Sequence, residues 1–516
     1  MKQLFRMLCC AALALALTGC GSSGKTISFT WFVDEIPQNL DPQLASTSAE
    51  VTAANHLYTG LYQMDESGTP QPGCASGHTL SDDGCTYTFT IRPDLYYQSV
   101  RGEVTDYAIT AEDFVFAFRR IFLPETHSPY ATSFAGIVNG LDILAGEKSP
   151  SLLGVTSPDP YTLVIRLNEP DPSFLEKLTL PGAMPCDQMY FESTMGTYGL
   201  TKKDCLTNGR FYLHNWTSEG MFLRRPAQGD LVNNLRLITN TNPRDMTSVQ
   251  LVENDKCTAA LDYSSEETRL SEISFSNTTW CLRISPEGLF ADDALRKALA
   301  FAAQDVALPS DSRLYGPVTG LVPDGARVDT LDYRTHAGNA LATPVDGDAL
   351  WQQALLTVPA AKLQGQVLLV PDTADRAFVQ TLNGTWQKRY GIFFNVETVD
   401  AETFARRYKD GDYTIALAPL PLTESDPTAF LSGFEKAMPP DQVLLYQTMV
   451  DEAAQAAGTE KIKLLSRIER LLAEQALVTP LYRQNARVLI DPSVTGLQFD
   501  PFGPILDVTW AHGKES

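Results

Sequence analysis

Several signatures are missing from this 516-residue sequence, and each absence closes off a class of function. No HExxH, no CxxC spacing and no G-x-S-x-G occurs, so neither a zinc site on a helix nor a nucleophile elbow is encoded. The six histidines, His56, His78, His127, His214, His336 and His512, are scattered and lie near no cysteine pair. No metal, no cofactor and no enzymatic activity is therefore expected. Basic residues are scarce: 40 Lys and Arg against 62 Asp and Glu leave a formal net charge of −22. Nucleic acid and anionic lipid headgroups repel so acidic a chain. There is no internal repeat and no low-complexity tract. No apolar run reaches the roughly 20 residues that a membrane-spanning helix needs.

What is present begins with a leader. Lys2 and Arg6 precede the apolar run 7–17, the order of an export signal over residues 1–19. The run ends in Leu17-Thr18-Gly19-Cys20, which resembles the bacterial lipobox. That resemblance implies cleavage before Cys20 and lipid on its thiol. Residues 20–24 then form a lipidated, flexible tether ending in Gly-Ser-Ser-Gly. Losing Lys2 and Arg6 with the leader takes the net charge from −22 to −24. The expectation is an exported monomer, lipid-anchored at Cys20 on the outer face of the cytoplasmic membrane and touching the membrane nowhere else.

Of the nine cysteines, Cys9 and Cys10 leave with the leader. Six remain beyond Cys20: Cys74, Cys85, Cys186, Cys205, Cys257 and Cys281. An even number in an exported chain favours disulfides. Neighbour pairing, Cys74–Cys85, Cys186–Cys205 and Cys257–Cys281, closes three short local loops.

Hydrophobic periodicity predicts alternating strands and helices. Residues 87–92 and 161–167 alternate apolar and polar as half-buried strands do. Between them Thr110 caps a helix whose buried stripe is Phe114, Val115, Phe118, Ile121 and Phe122. Further helices are expected over 291–305, 401–409 and 461–476, and strands over 392–399 and 412–417. Strands alternating with helices in the second half imply an α/β domain with a largely parallel sheet.

Eight segments, in order and at the right spacing, carry a resemblance that covers nearly the whole mature chain. They are NLDPQ at 39–43, GLY at 60–62, DGCTYTF at 83–89, IRP at 91–93, ITAEDFVFAFRR at 109–120, TNGRF at 207–211, ALRKAL at 294–299 and PLY at 480–482. Together they resemble the bacterial extracellular solute-binding proteins of the oligopeptide and dipeptide type. Arg210 is a departure, since that family usually has proline there. The resemblance implies an α/β, two-lobed periplasmic-binding-protein-like fold of class II type. It also implies two crossover strands, an extra subdomain in the first lobe and a ligand cleft between the lobes. Lobe I would comprise 25–60, 170–275 and 482–516, the extra subdomain 61–169, and lobe II 276–481. Its partners would be a peptide or other small solute and the permease and ATPase subunits of an ABC transporter.

In peptide-binding members of that family a cleft-lining segment ends in Asp-Pro or Glu-Pro, four residues after a carboxylate that holds the peptide's amino terminus. Here the segment is APLPLTESDPTAFL at 418–431, and Thr423 stands at the carboxylate's position. A hydroxyl brings no charge, so Thr423 is a weaker partner for an ammonium. Glu424 is the candidate for a relocated anchor, and Leu420 is expected on the same wall. Asp426 reads as a helix N-cap with Pro427 at the first helical position. Pro419 and Pro421 offer no N–H to a ligand backbone. Ser46, Thr47 and Ser48 are candidates for the facing wall, or equally for a helix cap before Ala49 and Glu50. The expected function is capture of a solute, peptides first, outside the cell for an ABC importer. Alternatives are an envelope receptor that keeps the fold, or a non-peptide ligand such as an oligosaccharide or metal chelate.

Overall fold

The computed structural model describes residues 26–241, 246–329, 331–343 and 345–514; the leader, Cys20 and the tether lie outside them. Among the described residues no helix is long and apolar enough to cross a membrane.

One 11-stranded sheet organises the chain. Its strands are β1 (Ser28–Val33), β2 (Tyr212–Thr217), β3 (Gly220–Arg224), β4 (Asn234–Thr239), β5 (Ala259–Asp262), β6 (Ser271–Ile284), β7 (Tyr315–Gly316), β8 (Val367–Pro371), β9 (Asn395–Val399), β10 (Ile415–Pro421) and β11 (Val478–Ile490). The order is β2-β3-β4-β1-β5-β11-β6-β10-β8-β9, with β7 paired to β11. The strands β8, β9 and β10 run parallel, as the alternation of strands and helices predicts. At the centre, β6 and β11 are long and antiparallel. The Arg487–Ile490 end of β11 pairs with β5 on one side and with Ser271–Ser274 of β6 on the other, whereas Thr278–Ile284 of β6 pairs with β10. Both strands thus pass from one half of the molecule to the other, as the two-lobed fold requires.

The first lobe buries Phe29, Trp31, Leu213, Leu235 and Leu237 of its strands under α1 (Ser48–Leu57). The subdomain is a four-stranded antiparallel sheet, ordered 75–80, 86–91, 162–166 and 155–159, covered by α2 (Ala111–Phe122). Thr110 N donates to Asp113 Oδ2 at 3.0 Å in a capping box, and the expected stripe from Phe114 to Phe122 is buried. Arg120 ties subdomain to lobe. Its guanidinium pairs with buried Asp41 and donates to Gln43 Oε1 at 2.6 Å, a bond network that satisfies a charge removed from water. In the second lobe α3 (Asp293–Gln304) and α4 (Arg376–Tyr390) pack Leu295, Leu299, Phe378 and Trp386 on one face of the sheet. On the other face α5 (Ala401–Asp410), α6 (Thr428–Ser432) and α7 (Gly458–Glu474) cover Leu369, Ala418 and Leu420.

The strand expected over 412–417 lies later, at Ile415–Pro421, with both prolines inside it. Leu422 N donates to Asn277 O at 2.8 Å, so Leu422, Leu420, Ala418 and Ala416 turn their main-chain groups towards β6. Leu417, Pro419 and Pro421 turn theirs away, where β8 pairs only with Ile415 and Ala416. A missing N–H costs nothing on that side.

The expected disulfides are not formed: all six thiols are free. Cys74 lies at the open end of a hairpin where Ala75 faces Ile91, and Cys85 at its turn beyond Leu80 and Tyr87. Five residue steps of strand separate them by roughly 17 Å, far more than a disulfide spans. Cys186 is held against Arg120, whereas the Cys205 thiol donates to Thr201 O. Cys257 packs with Val249 and Leu489 in the first lobe, and Cys281 with Phe404 and Leu465 in the second. Proximity in sequence does not bring Cys74 to Cys85, or Cys257 to Cys281, in space.

Candidate functional site: the cleft between the lobes

A cavity of about 1120 Å3 opens where β5, β11 and β6 leave the first lobe. Along the middle strand β11, Arg483, Asn485 and Arg487 alternate and so share one face; Glu272, Ser274 and Ser276 do the same on β6. Arg487 stands directly across from Asp262 on one side and Ser274 on the other. Its Nε bonds Asp262 Oδ2 at 2.8 Å, its Nη1 bonds Glu272 Oε2 at 2.9 Å, and its Nη2 donates to Glu266 O. Burial would lower the Arg487 pKa, but bonds from Asp262 and Glu272 outweigh it and raise the pKa above its usual value. Asp262 Oδ1 accepts from the Ser264 hydroxyl at 2.9 Å, which turns the chain out of β5 into the cleft wall.

Residues 313–325 supply the facing wall. Arg313 donates to Glu267 Oε1 at 2.8 Å and to Ser265 O at 3.2 Å. Its own backbone is held by Asn485, whose Nδ2 donates to Arg313 O at 2.9 Å. Asp324 pairs with Arg483. The loop that carries Asp324 is fixed from behind by buried Glu469, which accepts from Val322 N at 2.8 Å, Arg334 Nη2 at 2.7 Å and Tyr333 OH at 3.0 Å. Phe502, Phe275, Leu270 and Leu314 add apolar lining. Among the described residues no three His, Cys, Asp or Glu come together to hold a metal.

The sequence-predicted residues sit elsewhere. Thr47 is the N-cap of α1: its hydroxyl accepts from Glu50 N at 3.2 Å while Glu50 Oε2 accepts from Ser46 N and Thr47 N. Ser48 opens the helix, and none of the three lines the cavity. Leu420 is buried under α7. Thr423 and Glu424 are exposed just beyond β10 and also lie outside the cavity lining. Thr423 comes near it through its carbonyl, 3.9 Å from where a Cβ on Gly503 would sit, one residue past Phe502. Asp426 is not the N-cap expected of it: the helix starts at Thr428 with Pro427 as its N-cap, and Asp426 instead turns the chain just before it, its Oδ1 accepting from Thr428 N at 2.8 Å while its other oxygen pairs with Lys461 at 2.9 Å. The charged wall was missed, although the period-two polarity of Arg483, Asn485 and Arg487 in an otherwise apolar strand was a usable signal.

Residues 69–438 match the bacterial extracellular solute-binding proteins, family 5. The chain belongs to that family. A dipeptide-binding protein of Lactococcus lactis subsp. cremoris is 24% identical over 98% of each chain. The periplasmic oligopeptide-binding protein OppA of Salmonella typhimurium is 24% identical over 89% of this chain and 87% of its own. The solved structure of Listeria monocytogenes OppA bound to peptide superposes with a TM-score of 0.68 at 21% identity, over 95% of this chain and 100% of that one. For this family-5 solute-binding protein the superposition establishes the two-lobed fold. The cleft chemistry above is the chain's own.

Proposed function

We propose that this family-5 protein is the substrate-binding lipoprotein of an ABC importer, capturing peptides outside the cell and passing them to a permease driven by cytoplasmic ATPases. The observation that carries the reading is the cavity of about 1120 Å3, walled by both lobes and floored by both crossover strands. It is large enough for a ligand of several residues, and hinge motion about two strands opens it. The names of the dipeptide- and oligopeptide-binding relatives support the ligand class. The protein binds and releases its ligand unchanged and acts as a monomer. Cys20 carries the lipid that holds it outside the cytoplasmic membrane. Lobe I comprises 25–60, 170–275 and 482–516, its subdomain 61–169, and lobe II 276–481.

Mass spectrometry of ligand released by denaturing the mature protein, purified from Ser22 onward, tests the reading. A ladder of short peptides is expected. A single non-peptide mass would overturn the peptide assignment.

A further inference from the structure

Near its C-terminus the chain forms a hairpin that reaches from one lobe into the other. Gln498–Asp500 and Ile505–Asp507 pair antiparallel, and the four-residue tip between them is Pro501-Phe502-Gly503-Pro504. The base of this hairpin belongs to the first lobe. Leu506 and Val508 are fully buried in the core that holds Phe29 and Trp31. Leu506 N donates to Thr52 Oγ1 at 3.3 Å, and Val508 N donates to His56 Nε2 at 3.0 Å. Phe499 packs its ring 5.2 Å from that of Phe275 and 6.4 Å from that of Trp31, centroid to centroid.

The tip belongs elsewhere. Phe502 is 6% exposed and shares a core with Leu321, Val322, Ala326, Leu420 and Leu422, the one that α5, α6 and α7 cover in the second lobe. Its Cζ lies 3.7 Å from where a Cβ on Gly325 would sit. Asn277 ties the tip to the hinge. It stands in β6 where the pairing with β11 skips from Phe275 to Thr278. Its Nδ2 donates to Pro501 O at 2.7 Å, and its carbonyl accepts from Leu422 N at 2.8 Å. Prolines at both ends of the tip fix φ there, and Phe502 N donates to Asp500 Oδ1 at 2.9 Å, so the tip is stiff. A stiff tip does not absorb lobe rotation about β6 and β11 by bending. The rotation instead draws the Phe502 ring from its seat, which returns a large apolar surface to water. Phe502 also lines the cleft, so the seat opens where the ligand enters.

Resting on the two-lobed fold and the lobe division proposed above, we infer that the C-terminal hairpin is a third connection between the lobes, and that Phe502 is the positioning residue that holds them together. The two crossover strands set the axis of the hinge. The seated ring sets how far the closed arrangement is favoured over the open one, and ligand affinity follows that balance.

Small-angle scattering of the ligand-stripped mature protein tests the inference. Phe502→Ala is expected to show a larger radius of gyration than wild type, and Phe502→Leu, which refills the seat, to return to the wild-type value. Phe499→Ala removes a ring from the same hairpin on its first-lobe side. It should lower the melting temperature and leave the radius of gyration unchanged, which separates a strap from a hairpin that merely stabilises. Should Phe502→Ala fail to fold, Asn277→Ala frees Pro501 O and is expected to widen the molecule in the same direction. In titration with tetra-alanine, Phe502→Ala should bind on the order of tenfold more weakly, chiefly through faster release, because the closed form is that much less populated. Coincident scattering curves for wild type and Phe502→Ala, or an equal widening in Phe499→Ala, overturn the strap. Failure of tetra-alanine to bind the wild type counts against the peptide reading instead, and the scattering comparison, which needs no ligand, decides the strap by itself.

Discussion

Arg313 donates to Glu267 across a 2.8 Å gap at the mouth of the cleft, and with the lobe division proposed above this pair joins lobe II to lobe I. Both side chains are largely exposed, so the contact resembles a surface ion pair in strength and is screened by salt. It is nonetheless one that breaks when the lobes part, so it biases the open–closed equilibrium and scales ligand affinity with it. Arg313→Ala or Glu267→Ala should weaken ligand binding by no more than about fivefold. The loss should shrink at high ionic strength, and the double charge reversal Arg313→Glu with Glu267→Arg should restore affinity. Small-angle scattering of the ligand-free variants would show a larger radius of gyration than wild type. An unchanged scattering curve with unchanged affinity would assign the pair no part in closure.

A second prediction concerns Glu469, which lies behind the cleft. Its carboxylate is fully buried and holds Arg334, Tyr333 OH and the main chain at Val322. Breaking a buried pair by removing one partner strands the other's charge, at roughly 3–5 kcal/mol. Glu469→Ala should lower stability by that order in denaturant titration. It should also loosen the loop that positions Asp324, so ligand affinity falls even in the folded fraction.

The thiols give a third. Six free cysteines, five of them buried, predict that the purified mature chain reacts with thiol reagent at all six positions beyond Cys20 once denatured without reductant. Cys85, at the turn of its hairpin, should react first in the native state. Adding reductant should leave the melting temperature unchanged. A reductant-dependent melting temperature would mean that disulfides form after all.

Local signals were legible where one element decides the outcome by itself. Thr110 and Asp113 form the capping box their spacing announces, and the aromatic stripe behind them is core. The reading of Thr47 as a cap also holds, because a hydroxyl three residues before Glu50 meets that glutamate whatever the rest of the chain does. The prolines of β10 were harder to place. They look like strand breakers until the pairing with β6 shows which side of each residue needs a donor. The cleft was the least legible part. Asp262, Glu272 and Arg487 come from three strands, and Arg487 lies 225 residues from Asp262. No local pattern pairs charges so far apart; sheet order does. The disulfide pairing failed for the converse reason, since short sequence separation was taken for spatial nearness across a hairpin that holds its ends apart.

A last prediction follows from His56, which is buried between α1 and the C-terminal segment. Its Nδ1 donates to Thr52 O at 2.6 Å, and its Nε2 accepts from Val508 N at 3.0 Å, which fixes the neutral tautomer with the proton on Nδ1. Burial lowers its pKa, and nearby Arg225 adds to that; the Asp507 carboxylate at 3.4 Å opposes it without prevailing. Above about pH 6.5 the imidazole is neutral in both folded and unfolded chains, so it adds no pH dependence. Below that the unfolded chain binds a proton that the folded chain refuses, and stability falls as pH drops towards the folded-state pKa. One site of this kind contributes at most about 1.4 kcal/mol per pH unit. Thermal unfolding from pH 7.5 to 5 should show that decline, and His56→Gln should flatten its slope while lowering stability overall, because the Val508 N–H loses its imidazole acceptor. The slope is the test, since cavity and hydrogen-bond losses shift the level of the curve and leave its pH dependence unaltered. A variant curve parallel to wild type would show that other groups carry the acid sensitivity of this lobe.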